Sequence, residues 1–327
     1  MRTLVTGGAG FVGSNFVRRL LQGAYPALAG EVVVLDKLTY AGNLANLAPV
    51  VADPALRFVR GDVGDPAVVR GAMAGVRTVV HFAAESHVDR SIRDAADFVR
   101  TNVLGTQVLL QAALDAGVER FVHVSTDEVY GSIESGSWTE ESPLAPNSPY
   151  AASKAASDLL VRAYHRTHGL HACVTRASNT YGPYQYPEKL IPLFVTNLLD
   201  GLGVPLYGDG GNVRDWLHVD DHCRGIALVA ERGRAGEVYH VAGGTELDNR
   251  SLTRALLDIL GADESMVRHV PDREGHDRRY SLDFRKAAGE LGYRPSVRLA
   301  DGLAETVRWY REFRHWWAPL KGATPVG

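Results

Sequence analysis

The sequence predicts an α/β fold, a doubly wound parallel sheet with a smaller C-terminal α/β lobe. Three observations predict it. Short apolar runs rich in β-branched residues alternate with stretches of helical periodicity through the first half. A glycine-rich turn joins the first run to the first helical stretch. Beyond about Tyr181, turns become frequent and helices shorter, as at Gly182-Pro183, Tyr186-Pro187 and Gly208-Asp209-Gly210-Gly211.

Taken in order, the strands are expected at 3–6, 32–35, 58–59, 79–82, 121–125 and 173–175. Their unbroken apolar character suits a sheet covered on both faces. After the first strand, Val12, Phe16, Val17, Leu20 and Leu21 fall on one helical face. Val103, Thr106, Leu109, Leu110 and Ala113 repeat that pattern. Right-handed crossovers then gather the strands' carboxyl ends along one edge, where such sheets bind ligands. A first domain is expected over 1–178 and a second over 179–320, with helices at 252–260 and 303–313. The boundary is soft, because a segment such as 216–219 could return to the sheet.

Composition narrows the function classes. The 327 residues suit two domains or one large domain with a lobe. Hydrophobic residues make up 45% and charged residues 22%, ordinary for a soluble globular protein. With 35 basic and 38 acidic residues the net charge is −3, so no nucleic-acid or anionic-membrane surface is expected. Cys173 and Cys223 have no CxxC spacing, which argues against a disulfide framework or a structural zinc and for reduced thiols in the cytoplasm. No bound metal is expected. No stretch approaches the roughly 20 apolar residues of a membrane span. A secretory leader is not expected either, since the first strand begins at once with Arg2-Thr3-Leu4.

The first strand runs into Gly7-Gly8-Ala9-Gly10-Phe11-Val12-Gly13, which satisfies both GxxGxxG and GxGxxG. Alone, a glycine run marks only a turn. Between a strand and a helix it is the Rossmann fingerprint: glycines let the backbone approach a pyrophosphate, and the helix N-terminus offers free N–H groups. The second strand ends in Asp36, where an acid accepts from the adenine-ribose diol and repels a 2′-phosphate, favouring NAD over NADP. Lys37 beside it would tolerate a phosphate. Asp62 after the third strand is a candidate adenine contact, and small residues in Phe82-Ala83-Ala84 would let backbone pass along the cofactor.

Tyr150 and Lys154 stand at i, i+4 where a helix opens after a proline-rich turn, so they share a face. A nearby ammonium, with a nicotinamide cation, would lower the phenol from its usual value near 10 and make Tyr150 a general base towards a sugar hydroxyl. The fifth strand ends in Ser125-Thr126-Asp127-Glu128. Two close carboxyls tend to separate their pKa values, which suits one acid and one base. Neighbours on a strand point to opposite faces, so both reach one substrate only if the chain turns there.

On these residues the chain resembles the extended short-chain dehydrogenase/reductases and, within them, the dTDP-glucose 4,6-dehydratase family. The resemblance runs through Asp36-Lys37-Leu38-Thr39-Tyr40-Ala41-Gly42-Asn43, His81 to Ser91, Tyr184 to Pro192 and Asn212 to Trp216. The Thr126-Asp127-Glu128 triplet discriminates best, since related epimerases usually lack the acid pair. The resemblance implies a dehydration of a nucleoside-diphosphate-glucose by C4 oxidation, loss of water across C5–C6 and hydride return to C6, with NAD regenerated. It implies Tyr150 and Thr126 at the 4-hydroxyl, Glu128 as the C5 base, Asp127 as the acid for the leaving hydroxyl, and Lys154 beside them.

For the cofactor it implies Gly7, Gly10, Phe11, Val12, Gly13, Asp36, Lys37, Leu38, Thr39, Gly42, Asp62, Val63, Phe82, Ala83, Ala84, Ser86, Thr101, Tyr150, Lys154 and Asn179. For the substrate it implies Arg214, Arg273, His276, Asn179 and Asn249 at the pyrophosphate, where arginine and amide donors suit the charge. Glu188, Lys189 and Leu190 match positions lining sugar and phosphates, and Pro205 and Tyr207 positions holding the base. Ser86, His87, Arg90 and Thr126 would approach the glucose. The pattern departs at Thr180, where the family often has a second asparagine. A homodimer is implied through helices near 103–113 and 151–164. The aromatic stretch 309–317 reads as packing. A C4-epimerase or decarboxylase of the same fold, and a silent NAD-binding sensor, are the competing readings. The acid pair argues against the epimerase, and the intact Thr126, Tyr150 and Lys154 argue against the sensor. Thymine and uracil differ by one methyl, worth about 1–3 kcal/mol in an apolar pocket, and these motifs do not distinguish them.

Overall fold

A computed structural model describes residues 1–272 and 275–321. The strands are β1 (Arg2–Thr6), β2 (Glu31–Asp36), β3 (Leu56–Arg60), β4 (Thr78–His81), β5 (Arg120–Thr126), β6 (Ala172–Ala177), β7 (Asn179–Tyr181), β8 (Val204–Tyr207), β9 (Val213–His218), β10 (Val238–Val241), β11 (Glu246–Asp248) and β12 (Val267–Val270). Seven of them form a parallel sheet in the order β10-β6-β5-β4-β1-β2-β3. The order reverses direction at β1 and β4, so the crevice opens above those two strands.

Alternation along β1 shows why the runs are continuous. Val5 packs with Phe16, Val34 and Ile226 on one face, and Leu4 with Val33, Leu109 and Val161 on the other. All of these are buried, and each such aliphatic contributes about 1.5–3 kcal/mol of transfer free energy. Helices Phe11–Leu21 and Val219–Arg232 cover the first face, and helices Thr106–Asp115 and Pro149–His168 the second.

The six expected strands are all present, with β4 ending before Phe82. The segment 216–219 does not return to the central sheet. Residues 216–218 belong to β9, which pairs β7 in parallel and β11 antiparallel in a separate three-stranded sheet, and Val219 opens a helix. The segment that returns is β10, paired with β6 from Val238↔Val174 to Val241↔Ala177. A third core, with Tyr181, Trp216, Leu252, Leu256, Leu303, Val307, Tyr310 and Trp317, lies beyond the sheet edge.

Two helix starts place the residues at the crevice. The helix Pro149–His168 starts sharply, with the Ser148 hydroxyl accepting from Ala151 N at 3.1 Å and a proline in the first turn. It stops at Gly169 in the left-handed conformation. The expected helix over 103–113 begins with a wide π turn, Val99–Gly105, before Thr106–Asp115. There the Asn102 amide accepts from Glu85 N at 2.9 Å and donates to Glu85 O at 3.0 Å and Ser153 Oγ at 2.8 Å. The loop after β4 is thereby tied to the helix that carries Tyr150.

Candidate active site

One cleft of about 1630 Å³, its open mouth included, runs along the carboxyl ends of β1, β2, β4, β5 and β6. Gly7, Gly10, Phe11, Val12, Gly13, Asp36, Lys37, Thr39, Gly42, Asp62, Val63, Phe82, Ala83, Ala84, Ser86 and Thr101 line one end. Thr126, Asp127, Glu128, Tyr150, Lys154, Asn179, Glu188 and Lys189 line the other.

The glycine turn is built for close approach. Gly7 has φ +68°, and a Cβ there would lie 2.6 Å from Ala83 N. A Cβ on Gly13 would collide with the Gly7 carbonyl oxygen. Gly10 caps the first helix without a side chain, so the first-turn N–H groups face the cleft. The Asp36 carboxylate accepts from Ala9 N at 2.9 Å and Leu38 N at 2.8 Å. Burial still pushes its pKa up against these two donors. Leu38 itself stands outside the cleft lining and supplies this N–H from a positive φ of 59°. Lys37 Nζ pairs with Asp62 Oδ2 at 2.6 Å, which occupies the cation next to Asp36.

The condition for two useful carboxyls is met. β5 ends at Thr126 and the chain turns at once into the 3₁₀ turn Asp127–Tyr130. The Thr126 hydroxyl accepts from Glu128 N at 3.3 Å and donates to Asp127 Oδ1 at 3.2 Å. Asp127 is 2% exposed and its Oδ2 has no hydrogen-bond partner. Burial first, then the neighbouring Glu128 charge, pushes its pKa well above the carboxyl range, against the opposing pull of Arg214.

The expected lowering of the Tyr150 pKa belongs to the cofactor-bound cleft, where a nicotinamide cation joins the ammonium; the protein alone sets the opposite bias. Burial, then Glu128 and Asp127, push its phenol well above 10, and the bond to Thr126 opposes this only in part. Lys154 does not offset this shift. Its ammonium donates to Val124 O at 2.7 Å and lies 3.4 Å from His123 Nε2, so its charge is held at the strand rather than at the phenol. Lys154 is itself lowered to about 8 by burial, with Asp158 opposing. Asp158 Oδ2 accepts from Arg176 Nε at 2.9 Å in a fully buried pair behind the lysine.

Across the mouth, Glu188 gathers residues from both halves of the chain. Its Oε2 lies 3.1 Å from Arg90 Nη2 and 3.6 Å from His87 Nε2, while Lys189 Nζ donates to Ser86 O at 2.9 Å. Arg90 stacks on Tyr40, 3.8 Å from its centroid. Arg90, His87 and Leu190 are outside the cleft lining itself. Pro205, Tyr207, Arg214, Asn249 and His276 are also outside it, further into the second half of the chain. Arg214 donates to Asp277 O at 2.9 Å and stacks on Tyr280, His276 Nδ1 meets Asp272 Oδ1 at 2.6 Å, and Tyr207 packs edge-on to His276. Arg273 lies outside the described residues.

The sequence reading missed Tyr186, Gln185, Thr180 and His222, all in the cleft wall. Thr180 Oγ1 and His222 Nδ1 are 2.8 Å apart, so the departure at Thr180 has a partner from a distant helix. No local pattern around His222 announces this.

Fit to a dinucleotide rests on shape and on orphaned atoms. Ser125 Oγ, Asp127 Oδ2 and Asn179 Oδ1 are buried cleft-wall atoms without partners, at the end opposite the glycine cradle. A redox dinucleotide lying from that cradle to a tyrosine and lysine on one helix is the arrangement that defines the short-chain dehydrogenase/reductase class. Comparison with known proteins narrows the class. A family model described as GDP-mannose 4,6 dehydratase matches residues 4–306. The dTDP-glucose 4,6-dehydratase of Streptomyces niveus is 64% identical over 322 residues, 98% of this chain and 96% of its own. A dTDP-glucose 4,6-dehydratase from Streptomyces venezuelae, solved with NAD bound, is 71% identical with a TM-score of 0.97, over 98% of this chain and 100% of that one. The UDP-glucose 4-epimerase of Thermotoga maritima shares the fold at 33% identity and a TM-score of 0.88, over 96% of this chain and 100% of that one. The chain belongs to the dTDP-glucose 4,6-dehydratase family, within the extended short-chain dehydrogenase/reductases.

Proposed function

We propose that this chain is an NAD-dependent hydro-lyase that converts dTDP-glucose to dTDP-4-keto-6-deoxyglucose in deoxysugar biosynthesis. The observation that carries it is Asp127, a buried carboxyl of the cleft wall with one oxygen lacking a hydrogen-bond partner, next to Glu128 and in the wall that holds Tyr150. An epimerase exchanging hydride at C4 needs no such acid.

NAD, when bound, supplies a hydride acceptor for the first step and a hydride donor for the last. The glycine turn, Asp36, Leu38, Thr39, Gly42, Asp62, Val63 and the 82–86 loop hold it, with Thr101 and Asn179 along its length. Tyr150, hydrogen-bonded by Thr126, takes the proton from the substrate 4-hydroxyl, with Lys154 one turn along the same helix. The 4-ketone acidifies C5–H, Glu128 removes that proton, and Asp127 protonates the departing C6 hydroxyl. Burial and the neighbouring Glu128 charge raise the pKa of Asp127, which favours the acid form this step requires.

Ser86, His87, Arg90, Glu188, Lys189 and Leu190 surround the glucose. Arg214, Arg273, His276, Asn179 and Asn249 take the pyrophosphate, and Pro205 and Tyr207 the base. Residues 1–178 form the NAD-binding and catalytic domain and 179–320 the substrate lobe, with β10 threaded back into the sheet. The exposed apolar side chains Leu104 and Leu159 lie within the stretches 103–113 and 151–164 expected at a homodimer face. Among the described residues no helix is long and apolar enough to cross a membrane. Cys173 and Cys223 are buried and unbridged, in keeping with a cytoplasmic protein. Turnover of dTDP-glucose against UDP-glucose, followed by the alkali absorbance of the keto-sugar, tests the substrate. Equal rates with both would remove the thymidine preference.

A further inference from the structure

The aromatic tail does more than pack. Trp316, on the helix Arg314–Lys321, donates its indole N–H to Asn46 Oδ1 at 2.9 Å. Asn46 is 1% exposed, and its Nδ2 donates to Ala9 O, in the glycine turn, at 2.8 Å. The amide has one donor on one side and one acceptor on the other, so its orientation is fixed: a flip would set N–H against N–H and O against O. Ala9 N in turn donates to Asp36 Oδ2 at 2.9 Å. Both sides of the Ala9 residue are therefore held: its N–H by Asp36, and its carbonyl by Asn43 N at 3.0 Å and by the side-chain amide that the tail orients. Arg18, on the first helix, adds a bond to Asn46 O at 2.6 Å and stacks on Tyr184 at 4.1 Å.

The same tryptophan reaches the substrate side. Tyr184, at a positive φ of 68°, packs 4.5 Å from Trp309 and 5.7 Å edge-on from Trp316. Tyr310 donates to Gln185 O in the same loop, shortly before Glu188. We propose that Trp316 is a positioning residue for the dinucleotide: through Asn46 it holds the glycine turn in its binding form and slows release of NAD. This rests on the reading of the cleft as an NAD site.

The test follows exchange of bound NAD for labelled NAD in the intact holoprotein, a measurement independent of dehydratase turnover. Trp316→Phe keeps most of the packing and removes the N–H. Exchange is expected to quicken about tenfold, the scale of losing an oriented buried hydrogen bond. Asn46→Ala should quicken it comparably, and the double variant should be no faster than Asn46→Ala alone. Trp317→Phe is the control. It removes a similar buried bond, to Tyr310 O at 2.7 Å, without touching Asn46, and should leave exchange unchanged. Exchange at the wild-type rate in Trp316→Phe, additive effects in the double variant, or equal acceleration by Trp317→Phe would each overturn the proposal. Wild-type protein that neither retains NAD nor takes up labelled NAD would overturn the cofactor reading and the proposal with it.

Discussion

Replacing Asp127 with asparagine separates the acid's chemistry from its place in the fold. The amide has the same shape, and its oxygen can still accept from Thr126 Oγ1, now 3.2 Å from Asp127 Oδ1. What is lost is the proton for the departing C6 hydroxyl. General acid catalysis is worth about 10²–10⁴ in rate, so kcat should fall by that factor, roughly 3–5 kcal/mol of barrier. Stability should move the other way. Asp127 has its pKa raised on folding, so the folded state binds more protons than the unfolded state between the two values. Stability is thus fullest below the unfolded value and falls as pH rises towards the folded one. The Asp127→Asn variant carries no such penalty at neutral pH, and its thermal midpoint should hold or rise. In a single turnover, oxidation at C4 should still proceed, so reduced-cofactor absorbance should build up and persist. Activity within threefold of wild type, or a drop in Tm that accounts for the loss, would refute the reasoning.

Three further outcomes are expected. Burial sets Lys154 at about 8, so its ammonium is lost as pH rises through that value; kcat should decline above about pH 8, and Lys154→Arg should move that limb upward. Because this base is depressed on folding, stability should increase between about 8 and the unfolded value near 10.4, a rise that Lys154→Met abolishes in pH-dependent melts. Gly13→Ala should abolish NAD retention and cost about 1–3 kcal/mol in denaturant unfolding, since its Cβ meets the Gly7 carbonyl. Leu104→Asp with Leu159→Asp, at two exposed apolar positions, should yield a monomer by sedimentation; an unchanged mass would place any dimer face elsewhere.

What was legible in the sequence is what local chemistry dictates. Gly7 to Gly13, Asp36, and the Tyr150–Lys154 pair each sit where a strand, turn or helix end sets both backbone and role. The turn that lets Asp127 and Glu128 serve one cleft was anticipated as a requirement, and the Thr126 hydroxyl bonded to Glu128 N supplies it. Long-range choices were not legible. The run 238–241 is apolar like several others, and only its pairing with β6 makes it the edge of the main sheet rather than 216–219. His222 reaches the cleft wall from a helix with no motif of its own. Spacing put Tyr150 and Lys154 on one helix face but did not give the direction of the Lys154 ammonium, which the carbonyl of Val124 captures.

The most direct test supplies dTDP-glucose deuterated at C4, with no added NAD, and locates the label in the product. The account predicts deuterium at C6 of the 4-keto-6-deoxy sugar, with no net reduced cofactor. Deuterium retained at C4 of a galacto-configured product, or lost to solvent, would contradict it.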